Sequence, residues 1–282
     1  MEKYYFLFGM ALIWIVFAAI QDLKKRAVAN WLNFSLIAFA LSYRAFYAVV
    51  FKDIGFFFYG LLGFAVFFVL AYAFYYGRVF AGGDAKLLMG IGAVLPFESY
   101  SGLLFDSLFF LFLLFFLGSI YSLSFSIYLI GKNRKSFLSN FRSNLRRSKL
   151  LFAVAVIAAV ILFFFTPKFE YWLLVALLLV FLPLLYSYLK AVESACMIKF
   201  VLPGKISEGD WLEKDVKVRG KWIRKSVHGL SIEEIKLLRR YKKGVWIKDG
   251  IPFIPAFLLA FLAMALFFFV LKIRVEQVFL SL

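Results

Sequence analysis

The sequence has little cysteine, histidine, proline and acid. Among its 282 residues are one Cys, one His and six Pro, and 16 Asp and Glu residues stand against 33 Lys and Arg residues. A single cysteine, Cys196, provides neither an intramolecular disulfide framework nor the ligands of a cysteine-based zinc site. The sequence therefore excludes a disulfide-rich secreted domain and a zinc-finger type of protein.

Apolar residues are abundant instead. Hydrophobic residues make up 64% of the chain and aromatic residues 21%, with 39 Phe alone, while the formal net charge is +17. A soluble domain is about 45–50% apolar, so this chain carries more apolar surface than one core can bury. Such apolarity and such charge coexist only if they are segregated along the chain. The composition excludes a water-soluble globular enzyme, a disordered chain and a simple nucleic-acid-binding domain, and it predicts a polytopic membrane protein.

Eight apolar runs are candidates for membrane-spanning helices, each of which needs about 17–25 mainly apolar residues. They are Tyr4–Ile20, Trp31–Phe51, Phe56–Tyr76, Ala85–Leu95, Leu103–Ile130, Leu150–Thr166, Tyr171–Leu189 and Ile251–Lys272. Only Ala85–Leu95 is too short to cross a bilayer without help from its flanking residues. We therefore expect an all-α polytopic membrane protein of about eight transmembrane helices, with a small cytoplasmic α+β extension.

The distribution of Lys and Arg predicts the orientation, because short cytoplasmic loops retain these residues. Alternate connections, at 21–30, 77–84, 131–149 and 190–250, hold 27 of the 33 basic residues when Lys86 is counted with them. The opposite side holds the other six, which are Lys3, Arg44, Lys52, Lys168, Lys272 and Arg274. We predict that both termini lie outside the cell and that four loops lie on the cytoplasmic side of the plasma membrane.

The basic loop 131–149 has no acidic residue. Its Phe137, Leu138, Phe141 and Leu145 fall near helical spacing and indicate a basic amphipathic helix suited to anionic lipid headgroups. A plain solvated loop is the alternative interpretation.

Residues 193–250 have the composition of a soluble segment. The tetrapeptide 231–234 (SIEE) is typical of a capping box that begins a helix, and the alternating residues 216–223 predict a short strand or hairpin. We therefore divide the chain into a membrane domain at 1–192, a cytoplasmic segment at 193–250, and a last transmembrane helix with its tail at 251–282.

Two aspartates are the strongest catalytic candidates. Asp22 follows the first apolar run, and Asp84 follows Gly82 and Gly83 at the start of the fourth, which places both acids at the cytoplasmic side at one depth. Two carboxyl groups brought close in a partly dehydrated site do not both ionise cheaply, so one keeps its proton, as in aspartic proteases. The glycines permit a positive φ and a close backbone approach. Alternatively, each Asp caps a helix or pairs with a nearby lysine such as Lys86.

Three segments resemble the type IV prepilin peptidases. Residues 22–30 (DLKKRAVAN) resemble their first active-site segment, although Ala29 replaces the usual proline. Residues 82–86 (GGDAK) resemble the GxGD element, with Ala81 in place of the first glycine. Residues 250–258 (GIPFIPAFL) resemble the proline-rich signature of the family, and the three segments occur in the family's order.

The resemblance implies an aspartic endopeptidase in which Asp22 and Asp84 are catalytic and Gly82 and Gly83 shape the backbone. Lys86, Asn30, Pro252 and Pro255 then border the site, although each also has a structural interpretation. Lys86 suits lipid headgroups, Asn30 suits a helix cap, and the prolines suit the start of a helix.

Neither a metal nor an organic cofactor is implied, since the acid pair and water suffice. The chain lacks the paired cysteines of bacterial members with a methyltransferase segment, and it resembles the archaeal preflagellin (archaellin) or prepilin peptidases. The implied substrates are prepilin or preflagellin precursors with a short basic leader, and no nucleic acid is expected. A transporter that uses Asp22 and Asp84, a presenilin-like intramembrane protease and a non-enzymatic scaffold are the competing hypotheses.

Overall fold

The computed structural model describes residues 2–165, 169–226 and 229–272, which are mostly helical. The chain divides into two compact units. The described parts of Met1–Ser124 and Ile251–Leu282 form the first unit, and those of Phe125–Gly250 form the second.

The described residues form ten α-helices, and π-helical turns at Glu193–Met197 and Leu266–Val270 extend α8 and α10. The helices are α1 (Glu2–Lys25), α2 (Asn30–Val50), α3 (Ile54–Tyr76), α4 (Gly82–Val94), α5 (Tyr100–Lys132), α6 (Arg134–Arg147), α7 (Lys149–Phe165), α8 (Phe169–Val192), α9 (Ile232–Arg240) and α10 (Ile254–Ala265).

Five of these helical segments are long and apolar enough to cross a membrane: α1, α2, α3, α5 and Trp172–Met197. Helices α6 and α7, bent by 54° at their junction, add a sixth if they are counted as one span. The expected eight spans are therefore not confirmed, because α4 has only 13 residues and the apolar helix Ile254–Val270 is also short. The architecture is nevertheless that of a multi-pass membrane protein.

Helix α1 continues past its predicted end at Ile20. Gln, Leu and Lys are good helix formers, and they carry the helix on to Lys25. The next residue, Arg26, stops the helix because its φ of 57° is left-handed. The backbone N–H of Arg26 still donates to the Asp22 carbonyl at 2.9 Å. Asp22 consequently lies inside the last turns of α1, whereas the sequence placed it just after the span.

Helices α3 and α4 approach closely in the first unit. A methyl group at Gly63 would collide with the Gly92 carbonyl oxygen, and one at Gly92 would collide with that of Gly63. These two glycines bring the backbones into contact and hold the short α4 against a longer helix.

Arg44, one of the six basic residues that the charge count assigned to the outer side, is fully buried in α2. Its guanidinium donates hydrogen bonds to backbone carbonyls, among them those of Ala93 and Phe56, and these bonds offset the cost of burying a charge. Lys168 and Arg274 lie outside the described residues.

The second unit contains a small α+β region with two sheets. One is an antiparallel sheet of three strands in the order Ile198–Val201, Val245–Lys248 and Trp211–Leu212. The other is the hairpin of Val216–Val218 and Lys221–Ile223, which confirms the predicted hairpin. The predicted capping box is also confirmed, since Ser231 and Glu234 exchange hydrogen bonds of 2.9 and 3.3 Å at the start of α9. The strands are β1 (Ile198–Val201), β2 (Trp211–Leu212), β3 (Val216–Val218), β4 (Lys221–Ile223) and β5 (Val245–Lys248).

The basic loop 131–149 is helical, as its spacing predicts, but its apolar side is partly occupied by protein. Phe137 stacks on Phe141 at 5.6 Å and meets the Tyr188 ring edge-on at 5.8 Å. Phe137 also packs against Ala191 and Val192 of α8. Two of the four apolar residues that the sequence placed on the lipid side, Phe137 and Phe141, therefore pack against protein.

Candidate active site

Asp22 links the end of α1 to the beginning of α10. Its Oδ2 accepts a hydrogen bond of 3.1 Å from the backbone N–H of Ile254, and the N–H of Phe253 also donates to its carboxylate. The first N–H groups of a helix have no partner within that helix, so the carboxylate satisfies donors that would otherwise be unpaired. Pro255 lies in the first turn of α10 and Pro252 just before it, in agreement with their interpretation as residues of a helix start.

Asp84 is the third residue of α4 and reaches back to the turn before it. Its Oδ2 accepts a hydrogen bond of 3.1 Å from the backbone N–H of Ala81. Both aspartates therefore satisfy N–H groups at helix starts, as the structural interpretation of each acid anticipated. Each is also only 8% exposed, however, and a carboxylate that served merely as a helix cap would not need this burial.

The two aspartates lie in one compact unit. The charge of Asp22 interacts electrostatically with Asp84, although 62 residues separate the two aspartates in sequence. Two buried carboxyl groups in such a relation favour a state with one shared proton. The arrangement can supply a general base and a general acid to one substrate.

Gly82 and Gly83 do not adopt the positive φ that the sequence suggested. They are the first two residues of α4, and the glycines with a positive φ in the described chain are Gly209, Gly220 and Gly229. A Cβ atom at Gly82 would lie 3.7 Å from Tyr75, and one at Gly83 would lie 3.7 Å from the Val28 Cβ, which are ordinary contact distances. Neither backbone strain nor crowding explains why glycine occupies these positions.

Lys86 and Asn30 form a polar bridge between α4 and α2. The Lys86 Nζ donates to the Asn30 Oδ1 at 2.7 Å and lies 5.8 Å from the centre of the Phe34 ring. Asn30 is the first residue of α2, and its side chain does not cap that helix. Within the described ranges, Lys86 forms no ion pair with Asp84, so its amino group holds two helices together at this end of the site.

Sequence reasoning missed two polar residues near the aspartates. Asn33 is 1% exposed, and its Nδ2 lies 3.5 Å from the Gly83 carbonyl oxygen, while its Oδ1 has no partner in the described part of the chain. The hydroxyl oxygen of Tyr121 on α5 is buried, and this residue interacts electrostatically with Asp22 and Arg26. A polar residue within the buried stripe of α2 was a usable signal for Asn33, whereas Tyr121 is about 100 residues from Asp22 and gave none.

Residues 9–123 match the type IV leader peptidase family. A preflagellin peptidase of Methanocaldococcus jannaschii is 33% identical over 89 residues, which cover 32% of this chain and 38% of the relative. One of Methanococcus voltae is 32% identical over 139 residues, or 45% of this chain and 57% of the relative.

A preflagellin peptidase of Methanococcus maripaludis is also similar, and the match covers 35% of its length. The matched part of this chain thus spans from 35% to 57% of the length of these three curated relatives. The matched segment contains Asp22, Asn30, Gly82, Gly83, Asp84 and Lys86. Over residues 9–123 the chain is thus similar to the type IV leader peptidases, of the kind represented by archaeal preflagellin peptidases, as its motifs indicated.

Proposed function

We propose that this protein is a membrane aspartic endopeptidase that removes a short basic leader peptide from preflagellins or prepilins. The observation that carries the proposal is the pair Asp22 and Asp84, two buried carboxyl groups from different helices that interact in the segment matched by the family. The names of its relatives support preflagellin as the substrate class. Cleavage alone is proposed, without N-methyltransferase activity and without a metal or organic cofactor.

The chemistry uses one ionised and one protonated carboxyl group. The ionised group takes a proton from a water molecule as its oxygen attacks the scissile carbonyl carbon, while the protonated group donates a hydrogen bond to the carbonyl oxygen. Collapse of the tetrahedral intermediate breaks the C–N bond, and the proton taken from water passes to the leaving amine. Hydrolysis then consumes one water molecule and returns the pair to its starting state.

The backbone donors explain how a carboxylate is kept in a buried site. The N–H groups of Ile254 and Phe253 point at Asp22, and the N–H of Ala81 points at Asp84. Hydrogen bonds to charged groups offset part of the cost of removing them from water. They also orient the side chains, since each donor belongs to the start of a helix and moves only with that helix.

We further propose the topology that the charges predict, with about eight membrane segments, outward termini and the aspartate pair at the cytoplasmic face of the plasma membrane. In this arrangement α4, in the membrane domain 1–192, and α10, in the segment 251–282, are short membrane segments. Residues 193–250 lie in the cytoplasm. A cysteine at position 140 and one at position 98 then react with impermeant reagents from opposite sides of the membrane. Labelling of both from one side would contradict this topology.

Helix α6 is proposed to contact anionic lipid headgroups through the face that protein does not occupy. Lys135, Arg142 and Arg146 lie on one face of this helix together with Leu138, Ser139 and Ser143. The three cations and two hydroxyl groups suit phosphate oxygens. Of the four apolar residues in the predicted amphipathic helix, Leu138 lies on this face, whereas Phe137 packs against α8.

The purified protein, incubated in detergent with an archaeal preflagellin, tests the proposed function. We expect a shortened product whose new N-terminus, determined by mass spectrometry, lies at the junction between the basic leader and the apolar helix. Cleavage inside the apolar helix would favour a presenilin-like protease. Ion flux into liposomes without any product would favour the transporter hypothesis.

A further inference from the structure

The buried guanidinium of Arg44 lies at the C-terminal end of α4. Its Nε donates to the Ala93 carbonyl at 2.7 Å, and its Nη2 donates to the carbonyls of Val94 and Leu95 at 3.3 and 2.6 Å. Its Nη1 donates to the Phe56 carbonyl of α3 at 2.7 Å. Three of these four acceptors belong to the last residues of α4 and to the residue that follows it.

The end of a short helix in apolar surroundings needs such a partner. The last carbonyl groups of a helix have no donor within the helix, and each costs several kcal/mol if it is left unpaired away from water. Pro96 follows immediately and has no N–H to offer. The planar fork of an arginine can satisfy several carbonyls at once, and its positive charge suits the negative end of the helix.

The Arg44 side chain is itself fixed by its surroundings. Its guanidinium carbon lies 4.6 Å from the centre of the Phe56 ring and 5.6 Å from that of Tyr4, whose hydroxyl donates to the Phe97 carbonyl at 3.1 Å. A methyl group at Gly60 would overlap the Arg44 Cδ, so the side chain passes α3 only because a glycine is there. The guanidinium is therefore a rigid anchor in the protein interior.

We propose that Arg44 is a positioning residue that holds Asp84 opposite Asp22 by anchoring the far end of α4. Asp84 lies ten residues before Val94, so a rigid helix places it about 15 Å from the anchor along the helix axis. A shift of α4 along this axis moves the Asp84 carboxyl group by the same amount. The catalytic consequence rests on the proposed function of the pair, whereas the anchoring itself does not.

Cysteine crosslinking measures the position of α4 without any substrate. A Cβ at Gly83 lies 3.7 Å from the Val28 Cβ, a spacing that suits a disulfide. In a Cys196→Ser background, the pair Val28→Cys and Gly83→Cys should therefore oxidise readily. The same pair is then combined with Arg44→Lys, which keeps the charge but loses the fork, or with Gly60→Ala, which keeps the arginine but displaces it.

We expect Arg44→Lys and Gly60→Ala each to slow disulfide formation at least about fivefold. In the protein that lacks the cysteine pair, each should lower kcat for preflagellin at least about tenfold with little change in KM, because a displacement of about 1 Å at a catalytic group costs rate rather than binding. Gly9→Ala is the matched control, since a methyl at this helical glycine meets no atom within 4 Å, and it should change neither quantity.

The outcomes separate the two proposals. Reduced thermal stability with unchanged crosslinking and unchanged kcat would show that Arg44 only stabilises the fold, and it would overturn this inference. Unchanged crosslinking in Gly60→Ala would do the same if Arg44→Lys did not fold. Slower crosslinking in a protein that cleaves no preflagellin even as wild type would support the anchor and refute the proposed function.

Discussion

The two compact units differ in which polar side chains they bury. The buried polar and charged residues of the described first unit are Asp22, Asn33, Arg44, Asp84 and Ser107, whereas those of the second are Ser126, Ser148 and Ser187. The second unit nevertheless contains 23 of the 33 Lys and Arg residues of the chain. None of its described charged residues is buried, and the buried charges of the described chain, Asp22, Arg44 and Asp84, all lie in the unit that contains residues 9–123 of the family match.

This difference predicts in which unit the removal of a single charge has a large energetic cost. A buried charge is surrounded by specific hydrogen bonds, so its removal leaves donors or acceptors unpaired at a cost of a few kcal/mol. An exposed ion pair contributes only about 0–1 kcal/mol, because water already solvates both partners. Substitutions of one charge should therefore have large effects in the first unit and small effects in the second.

Neutralising an acid in each unit gives the largest contrast. Asp22→Asn and Asp84→Asn should each lower preflagellin cleavage at least about a thousandfold, since each removes the acid–base partner from the pair. Glu233→Gln, at an exposed acid of α9, is the matched control and should cleave at the wild-type rate. All three variants should remain folded in detergent, because Asn keeps an oxygen that can accept the backbone N–H. Appreciable cleavage by either aspartate variant would break the contrast.

Neutralising two cations of α6 tests the surface chemistry of the second unit. Arg142→Gln with Arg146→Gln should weaken binding of a short-chain anionic phospholipid about thirtyfold, measured by titration of the protein in neutral nanodiscs, because each of the two cations contributes about 1 kcal/mol. Cleavage in detergent should change less than about twofold. Lys221→Gln with Arg224→Gln removes two exposed cations elsewhere, and equal weakening by this pair would show that the basic face of α6 is not a specific binding surface.

Replacement of Asn33 by leucine separates a structural role from a functional one. A buried oxygen without a donor costs stability, so Asn33→Leu should keep or raise the unfolding temperature. If this amide helps to orient Gly83 and Asp84, cleavage should nevertheless fall about tenfold. Ser107→Ala removes another buried oxygen without a partner in the described chain and should leave cleavage unchanged, and a stable Asn33→Leu variant of full activity would confine Asn33 to packing.

The smallest effect is expected at Asp53, a partly exposed carboxylate of the first unit. Asp53 caps α3 by accepting from the Phe56 N–H at 3.1 Å, and its ion pair with Lys3 at 2.9 Å holds the pKa of Asp53 below its usual value. A lowered pKa contributes stability above about pH 4, and this contribution is lost as the pH falls through the pKa of the folded state. Asp53→Asn should therefore cost about 0.5 kcal/mol at pH 7 and nothing in strong acid, measured by thermal unfolding. An equal loss at both pH values would exclude the ion pair as its cause.

The sequence was sufficient for features that depend on local patterns. The long apolar runs predicted most helices, the spacing of 231–234 predicted a capping box, and motif order selected Asp22 and Asp84. It was insufficient where backbone groups are the partners. Three of the four carbonyls that accept from Arg44 are 49–51 residues away, and the N–H that donates to Asp22 is 232 residues away. Backbone groups are the same in every residue type, so the sequence does not reveal these partners.

The faces of helices were also hard to assign. Residues 131–149 were predicted as an amphipathic helix, but only the packing of Phe137 against Tyr188 tells which apolar residues protein covers. Gly82 and Gly83 were assigned a conformational role that their helical φ angles do not support. The residue types near the aspartates were thus predictable, whereas their contacts required the fold.

A double-mutant cycle on the aspartates tests the central claim most directly. Single-turnover cleavage of preflagellin is measured for the wild type, Asp22→Asn, Asp84→Asn and the variant with both changes. Two groups that act as one catalytic unit are not additive, so the double variant should retain the same residual rate as each single variant. Losses that multiply in the double variant, or a single variant that still cleaves, would contradict a shared role of Asp22 and Asp84.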